Sequence, residues 1–201
     1  MKTEMSSILC AIVLLFSTTN SQAIMVAVNP TGQVVGVGTQ AVAAITISGL
    51  GDLAAPSLGT FDLDLSFDPS ILSFSSATFG NQLDLFGFGS INAATPGVGS
   101  VNLFELSLDL PSVLDSFQQG SFTLATIIFD TLAVGTSSLT ISNLILGDAL
   151  GNRLVAGVSG GSMNVVPLPG ALVLFGSGIA ALAGWGRWRR RRLSVLGQRS
   201  L

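Results

Sequence analysis

The chain has 201 residues, with no His, no Tyr, one Cys and two Trp, and its 8 basic and 11 acidic residues leave a formal charge of −3. Without imidazole there can be no Ser-His-Asp or Cys-His nucleophile system and no His-based zinc or copper centre. The net charge averages two unlike parts: Ile24 to Val166 holds ten acids against the single base Arg153, a formal −9, whereas six of the seven arginines lie at or after Arg187. A segment that acidic repels nucleic acid, which is bound by basic groups that displace counterions.

The N-terminus has Lys2, then an uncharged apolar run of nine residues from Ile8 to Phe16, then Ser21-Gln22-Ala23. A short basic region, a short apolar core and small residues at the cleavage positions predict a secretory signal helix over residues 1–23, cut between Ala23 and Ile24. The run is shorter than the roughly 20 residues that span a bilayer. Cys10 lies inside that run and not at the cut, so no lipidated start is expected. After cleavage no thiol remains for disulfide, metal or nucleophile.

From residue 24 to 164 the pattern is of strands and turns. Thr60 to Phe67, TFDLDLSF, puts Phe61, Leu63, Leu65 and Phe67 on one side and Thr60, Asp62, Asp64 and Ser66 on the other. Such alternation marks a half-buried antiparallel strand. Asp68-Pro69 starts a turn, and Ile71 to Phe79 returns. Further strands are expected at Ala41–Ser48, Ser100–Leu108, Phe122–Leu132 and Ser138–Leu146. Val101 and Leu103 alternate in one phase and Phe104, Leu106 and Leu108 in the other, which predicts either a bulge near Phe104 or a strand buried on both faces. Pro111 to Leu114 reads as a single helical turn ended by Gly120, and Gly147 to Asn152 as a turn cluster. Repeated short strands with such turns indicate one all-β sandwich, large enough to bury a core without disulfides.

The tail reads VVPLPGALVLFGSGIAALAGWGRWRRRR. Leu168 to Gly186 carries no charge and is long enough to cross a membrane at about 1.5 Å per residue. Trp185 and Trp188 stand where interfacial aromatics belong, and the cluster Arg187, Arg189, Arg190, Arg191 and Arg192 belongs on the cytoplasmic side, with residues 193–201 trailing behind it.

Two family resemblances follow from these residues. The tail resembles the PEP-CTERM sorting signal of Gram-negative bacteria. Val166, Pro167, Leu168 and Pro169 stand at its motif, Ala171 to Ala183 at its helix and Arg187 to Arg192 at its arginine cluster, with Leu168 where the family carries Glu. The resemblance implies a chain held in the inner membrane and recognised by an exosortase, a membrane protease-transpeptidase that cuts near the motif and sends the product to the cell surface or outside. The middle is similar to cohesin-like domains of the carbohydrate-binding-module-like superfamily. Gly36-Val37-Gly38, Ala41–Ser48, the Phe67-Asp68-Pro69-Ser70-Ile71-Leu72 turn and Gly120 to Ile141 carry this likeness. It implies a jelly-roll β-sandwich of about nine strands.

Candidate sites are few. Asp62 and Asp64, two apart on one strand, share a face that alternation predicts to be solvated. Calcium is the one ion the residue types invite, at Asp62, Asp64 or Asp68, but no EF-hand spacing accompanies them and no cofactor is expected. Gly87 and Gly89 lack the Lys and following helix of a phosphate loop. Most of the phenylalanines fall in strand patterns and are expected in the core. Phe86 and Phe88, in LFGFGS, lie in a Gly-rich stretch that either forms an exposed ligand contact or packs beneath a loop. The expected function is that of an exported, non-enzymatic surface or matrix protein. Its cohesin-like module would mediate adhesion or assembly, with surface proteins or exopolysaccharide as partners, and a polysaccharide-binding module of the exopolysaccharide layer is the alternative.

Overall fold

In the computed structural model the described residues are 23–168, and they form twelve strands and one short helix. The expected signal helix, Pro169, the membrane-spanning run and the arginine cluster lie outside them. Among the described residues no helix is long and apolar enough to cross a membrane.

The strands are β1 (Ile24–Asn29), β2 (Gln33–Gly36), β3 (Gln40–Ser48), β4 (Leu58–Ser66), β5 (Leu72–Phe79), β6 (Ser90–Gly97), β7 (Ser100–Ser107), β8 (Phe122–Thr131), β9 (Gly135–Asp148), β10 (Arg153–Leu154), β11 (Ala156–Ser159) and β12 (Gly161–Val166), with α1 at Pro111–Phe117. They make two packed sheets. The smaller has the order β11-β1-β3-β8-β5, and the larger β2-β12-β9-β4-β7-β6 with β10 on β9. The end at which β4 begins is the upper end of the sandwich, and the end at which it finishes is the lower end.

The core follows from period-2 alternation. Phe61, Leu63 and Leu65 of β4, Val101 and Leu103 of β7, and Leu139 and Val165 are sealed from solvent on the inner face of the larger sheet. Val26, Val28, Ile45, Ile47, Ile127 and Phe129 meet them from the smaller sheet. Phe67 stands edge-on to Phe129 with ring centroids 5.1 Å apart, a favoured aromatic geometry.

The resemblance implied fewer strands because both ends of the chain change sheets partway. β1 lies in the smaller sheet and β2 in the larger, and β11 and β12 divide in the same way. The two crossings run side by side: β1 pairs parallel with β11, β2 pairs parallel with β12, and Ser162 N–H donates to Thr31 O at 3.0 Å. Gly160 makes the second corner. A Cβ there would sit 2.6 Å from Leu139 O, so only glycine fits without displacing backbone.

Neither account of the phase change near Phe104 is correct. β7 pairs with β4 and β6 without a register break. Glu105, not Phe104, keeps the inward phase of Val101 and Leu103 and is 1% exposed, while Phe104 lies half-buried on the outer face. The expected single helical turn extends to Phe117, with Pro111 in the first turn, where its missing N–H costs nothing.

One buried amide ties the upper end together. Gln118 Oε1 accepts from Leu58 N–H at 2.6 Å, and its Nε2 donates to Leu58 O at 2.9 Å and Gln82 O at 3.0 Å. The side chain thus extends the ladder past the start of β4. Gln118→Leu strands three buried backbone groups, each worth about 1–3 kcal/mol when left unpaired. Urea denaturation should show a loss of at least about 2 kcal/mol, and a loss of a few tenths would contradict this role.

Candidate functional site

The outer face of the larger sheet combines fixed charge with exposed apolar surface. On β4, Asp62 and Asp64 point outward between the inward Phe61, Leu63 and Leu65. The register places Phe104 and Ile145 on either side of Asp62, Asn102 and Ser142 on either side of Asp64, and Ile91 beside Leu106. Ile91 and Ile145 are more than half exposed, and Leu106 is also exposed.

The two carboxylates are held by amides, not by bases. Asn102 Nδ2 donates to Asp62 Oδ1 at 2.7 Å and to Asp64 Oδ1 at 2.9 Å, and Asn143 Nδ2 donates to Asp64 Oδ2 at 2.7 Å. Asn143 gets there because β9 shifts register opposite Asp62 and Asp64 and because its own backbone is left-handed, with φ 51°. Asn tolerates that conformation better than most residues. The bond from Asn143, then that from Asn102, holds the Asp64 carboxyl below its ordinary pKa. The face therefore presents fixed negative charge beside Phe104, Ile145, Leu106 and Ile91.

Asp62 and Asp64 share a face, as the alternation predicts. Asp68 does not join them: it sits past the end of β4, where its Oδ1 accepts from the N–H and Oγ of Ser70. Among the described residues no three His, Cys, Asp or Glu side chains group to hold a metal.

Phe86 and Phe88 lie at the upper end, Phe88 70% exposed and Phe86 edge-on to the exposed Phe117 at 5.4 Å. Three carboxylates fix their loop. Leu85 N–H donates to Asp109 Oδ2 at 2.7 Å, Gly89 N–H to Asp84 Oδ1 at 2.9 Å and Ser90 Oγ to Glu105 Oε1 at 2.6 Å. The sequence reading missed Glu105 and Asp109. Burial raises the Glu105 pKa, the bond from Ser90 opposes that shift, and the charge of Asp84 adds to it.

Of the sorting residues, Val166 is the last residue of β12, paired with Gly36. Pro167 follows without regular structure, and Leu168 lies against Gly36, where an added Cβ would come within 2.7 Å of Leu168 Cδ2. Ala23 precedes β1 directly, and Ile24 is its first residue. A cleft of about 570 Å³ at the upper end is lined by Leu50, Asp52, Leu53, Gln119, Gly120 and Ser121. In this lining Asp52 Oδ1 accepts from the Gly120 N–H at 3.1 Å.

This arrangement, two packed sheets with a mixed polar and apolar outer face, is a cohesin-like β-sandwich. Solved structures that it resembles include cohesins. A non-cellulosomal cohesin from the hyperthermophilic archaeon Archaeoglobus fulgidus aligns over 72% of this chain and 92% of its own, with TM-score 0.56 and 15% identity. The sixth cohesin of Acetivibrio cellulolyticus scaffoldin B, solved with a Cel5 dockerin, aligns over 72% of this chain and all of its own, with TM-score 0.59 and 17% identity. CaCohA2 of Clostridium acetobutylicum aligns over 73% of this chain and 92% of its own, with TM-score 0.57 and 19% identity. At these identities the likeness is one of fold. No protein-family model and no curated protein matches the chain.

The buried carboxylate makes stability depend on pH. In the folded state Glu105 binds its proton more tightly than a free side chain, whose ordinary pKa is 4.5. Its contribution is therefore fully present below that value and is lost as pH rises through the raised one. Asp64 and Asp148, with lowered pKa values, act oppositely and lose their contribution as pH falls. Glu105→Gln keeps a partner for Ser90 and cannot ionise. Thermal melts of the variant and the parent should converge under acid conditions and separate in favour of the variant toward neutral pH. Parallel curves would contradict this.

Proposed function

We propose that the chain is an exported, non-enzymatic protein of the cell surface or matrix. Its sandwich is a protein-assembly module, and its tail is an exosortase-type sorting signal. The observation that carries the assembly reading is the outer face of β9-β4-β7-β6. There, amide-held Asp62 and Asp64 sit beside Phe104, Ile145, Leu106 and Ile91. Fixed charge flanked by exposed apolar side chains suits a protein partner. Such a partner carries basic groups, because Arg153 is the only base from Ile24 to Val166. Several neighbouring folds, the Acetivibrio cohesin among them, were solved with dockerins bound, which supports a protein partner of some kind. No residue here selects a dockerin.

A second reading, polysaccharide binding in the exopolysaccharide layer, draws on the exposure of Phe86 and Phe88. Affinity capture from surface extracts separates the two. Under the assembly reading, Phe104→Arg and Ile145→Arg weaken capture of a protein partner by at least about tenfold, as central interface residues do, and Phe88→Ala leaves it intact. Face variants that bind like the parent contradict this reading. Saturable glycan binding lost in Phe86→Ala and Phe88→Ala favours the second one.

The sorting reading rests on Val166-Pro167-Leu168-Pro169, the uncharged run behind it and Arg187 to Arg192. Mass spectrometry of the mature protein should find a C-terminus close to Pro167–Pro169. A mature chain that still carries Arg189 to Arg192 would instead indicate a permanent anchor.

A further inference from the structure

The lower end of the sandwich differs from the upper in charge, although apolar side chains are exposed at both, with Phe88, Leu110 and Leu150 among them at the upper end. Asp52, Asp84, Glu105, Asp109, Asp115 and Asp148 all lie toward the upper end, where β4 and β8 start and β7 and β9 finish. Among the described residues the lower end has only the acids Asp68 and Asp130, the first bonded to Ser70 and the second to Gln40 on the paired strand. Apolar side chains stand out there on turns. Val98, at the tip of the β6–β7 hairpin, is 96% exposed, and Leu132 and Val134, in the β8–β9 turn, are each more than half exposed.

These turns form one surface. Val98 and Leu132 line a common groove of about 200 Å³ with Pro69, Phe74 and Pro96. The hydroxyl of Thr131, next to Leu132, lies 2.9 Å from Gly36 O and 2.7 Å from Thr39 O and donates its one proton to either, and Leu168 packs on Gly36. The chain leaves the sandwich at this same end, because β12 runs parallel to β4 and finishes beside Gly135.

We propose that this lower end rests on the outer surface of the bilayer that holds the tail, with Val98, Leu132, Val134 and Leu168 at the lipid interface. The inference depends on the membrane-spanning reading of residues 168–186 and goes beyond it. Reach supplies the argument. From Val166 to the start of the apolar run at Leu168 is two residues, at most about 7 Å of extended chain, so the lower end cannot stand clear of the headgroups. At that distance exposed apolar tips enter the interface, and the acids, gathered at the upper end, are carried away from lipid phosphates. Leu168 fits the same account. The residue that departs from the sorting motif is apolar and packs on the sandwich, closing the gap between domain and membrane.

The test uses the full chain with Cys10→Ser, which leaves no native thiol. A fluorophore is placed at Val98→Cys, at Val134→Cys or, at the upper end, at Phe88→Cys. Each protein is reconstituted into phosphatidylcholine vesicles containing headgroup-quencher lipids, and circular dichroism checks the fold. Labels at Val98 and Val134 should be quenched several-fold more than the label at Phe88. Flotation with equal quenching at the two ends overturns the docking and leaves the anchor standing. Failure to float with vesicles overturns the anchor and the docking together. A shielded, unquenched Val98 label that cross-links to a second copy replaces the bilayer with a dimer. In a chain labelled at Leu132→Cys, the added pair Val98→Asp and Val134→Asp should preserve flotation and abolish quenching. Quenching that persists in that chain also counts against the proposal.

Discussion

The pleat of β4 is the constraint on which both the core and the candidate interface depend. A strand sends neighbouring side chains to opposite faces, so fixing Phe61, Leu63 and Leu65 in the core also fixes Asp62 and Asp64 outside it. β4 lies inside the larger sheet between β9 and β7, so its outward residues have neighbours on both sides. Asn102 arrives from one side and Asn143 from the other. A one-residue slip would bury two carboxylates and expose three large apolar side chains, which is why the register is strongly specified. The polar ladder on the face is in this sense a by-product of core packing, and it is rigid because the core is rigid.

How far the sequence alone could be read follows the same logic. β3, β4, β5, β8 and β9 were legible because long runs of apolar and β-branched residues alternate there, and their observed bounds differ from the expected ones by one to three residues. β6 was not legible. SINAATPG contains Pro and Gly and has little apolar content, and it is a strand because β7 offers an edge. Glu105 was missed for a related reason. A carboxylate on the inner phase is stable there only with a partner, and that partner, Ser90, lies on β6. The short strands β1, β2, β11 and β12 are pairs of segments far apart in sequence, and their parallel pairing leaves no local pattern. The sharing of one face by Asp62 and Asp64 could be read from their spacing. The amides that hold them could not, because Asn102 and Asn143 reach them only through sheet pairing.

The distribution of charge gives the sandwich a direction. Its upper end carries most of the acids, the buried Glu105 and the Phe86–Phe88 loop. Its lower end carries small turns, few charges and the exit of the chain. The mixed face of β9-β4-β7-β6 runs along the side between them. Surfaces separated in this way can work without competing: one end to be held, one side to be bound and one end to face outward.

The parallel pairing of β2 with β12 has a consequence for the order of events in synthesis. Among the described residues β2 has one strand neighbour, and that neighbour is the last strand of the sandwich. Under the export proposed above, β2 would emerge early and wait for its strand neighbour until Gly161–Val166 had followed. The segment that follows this strand directly in the sequence is the uncharged run, so under the proposed export the last strand and the proposed membrane stop would arrive together.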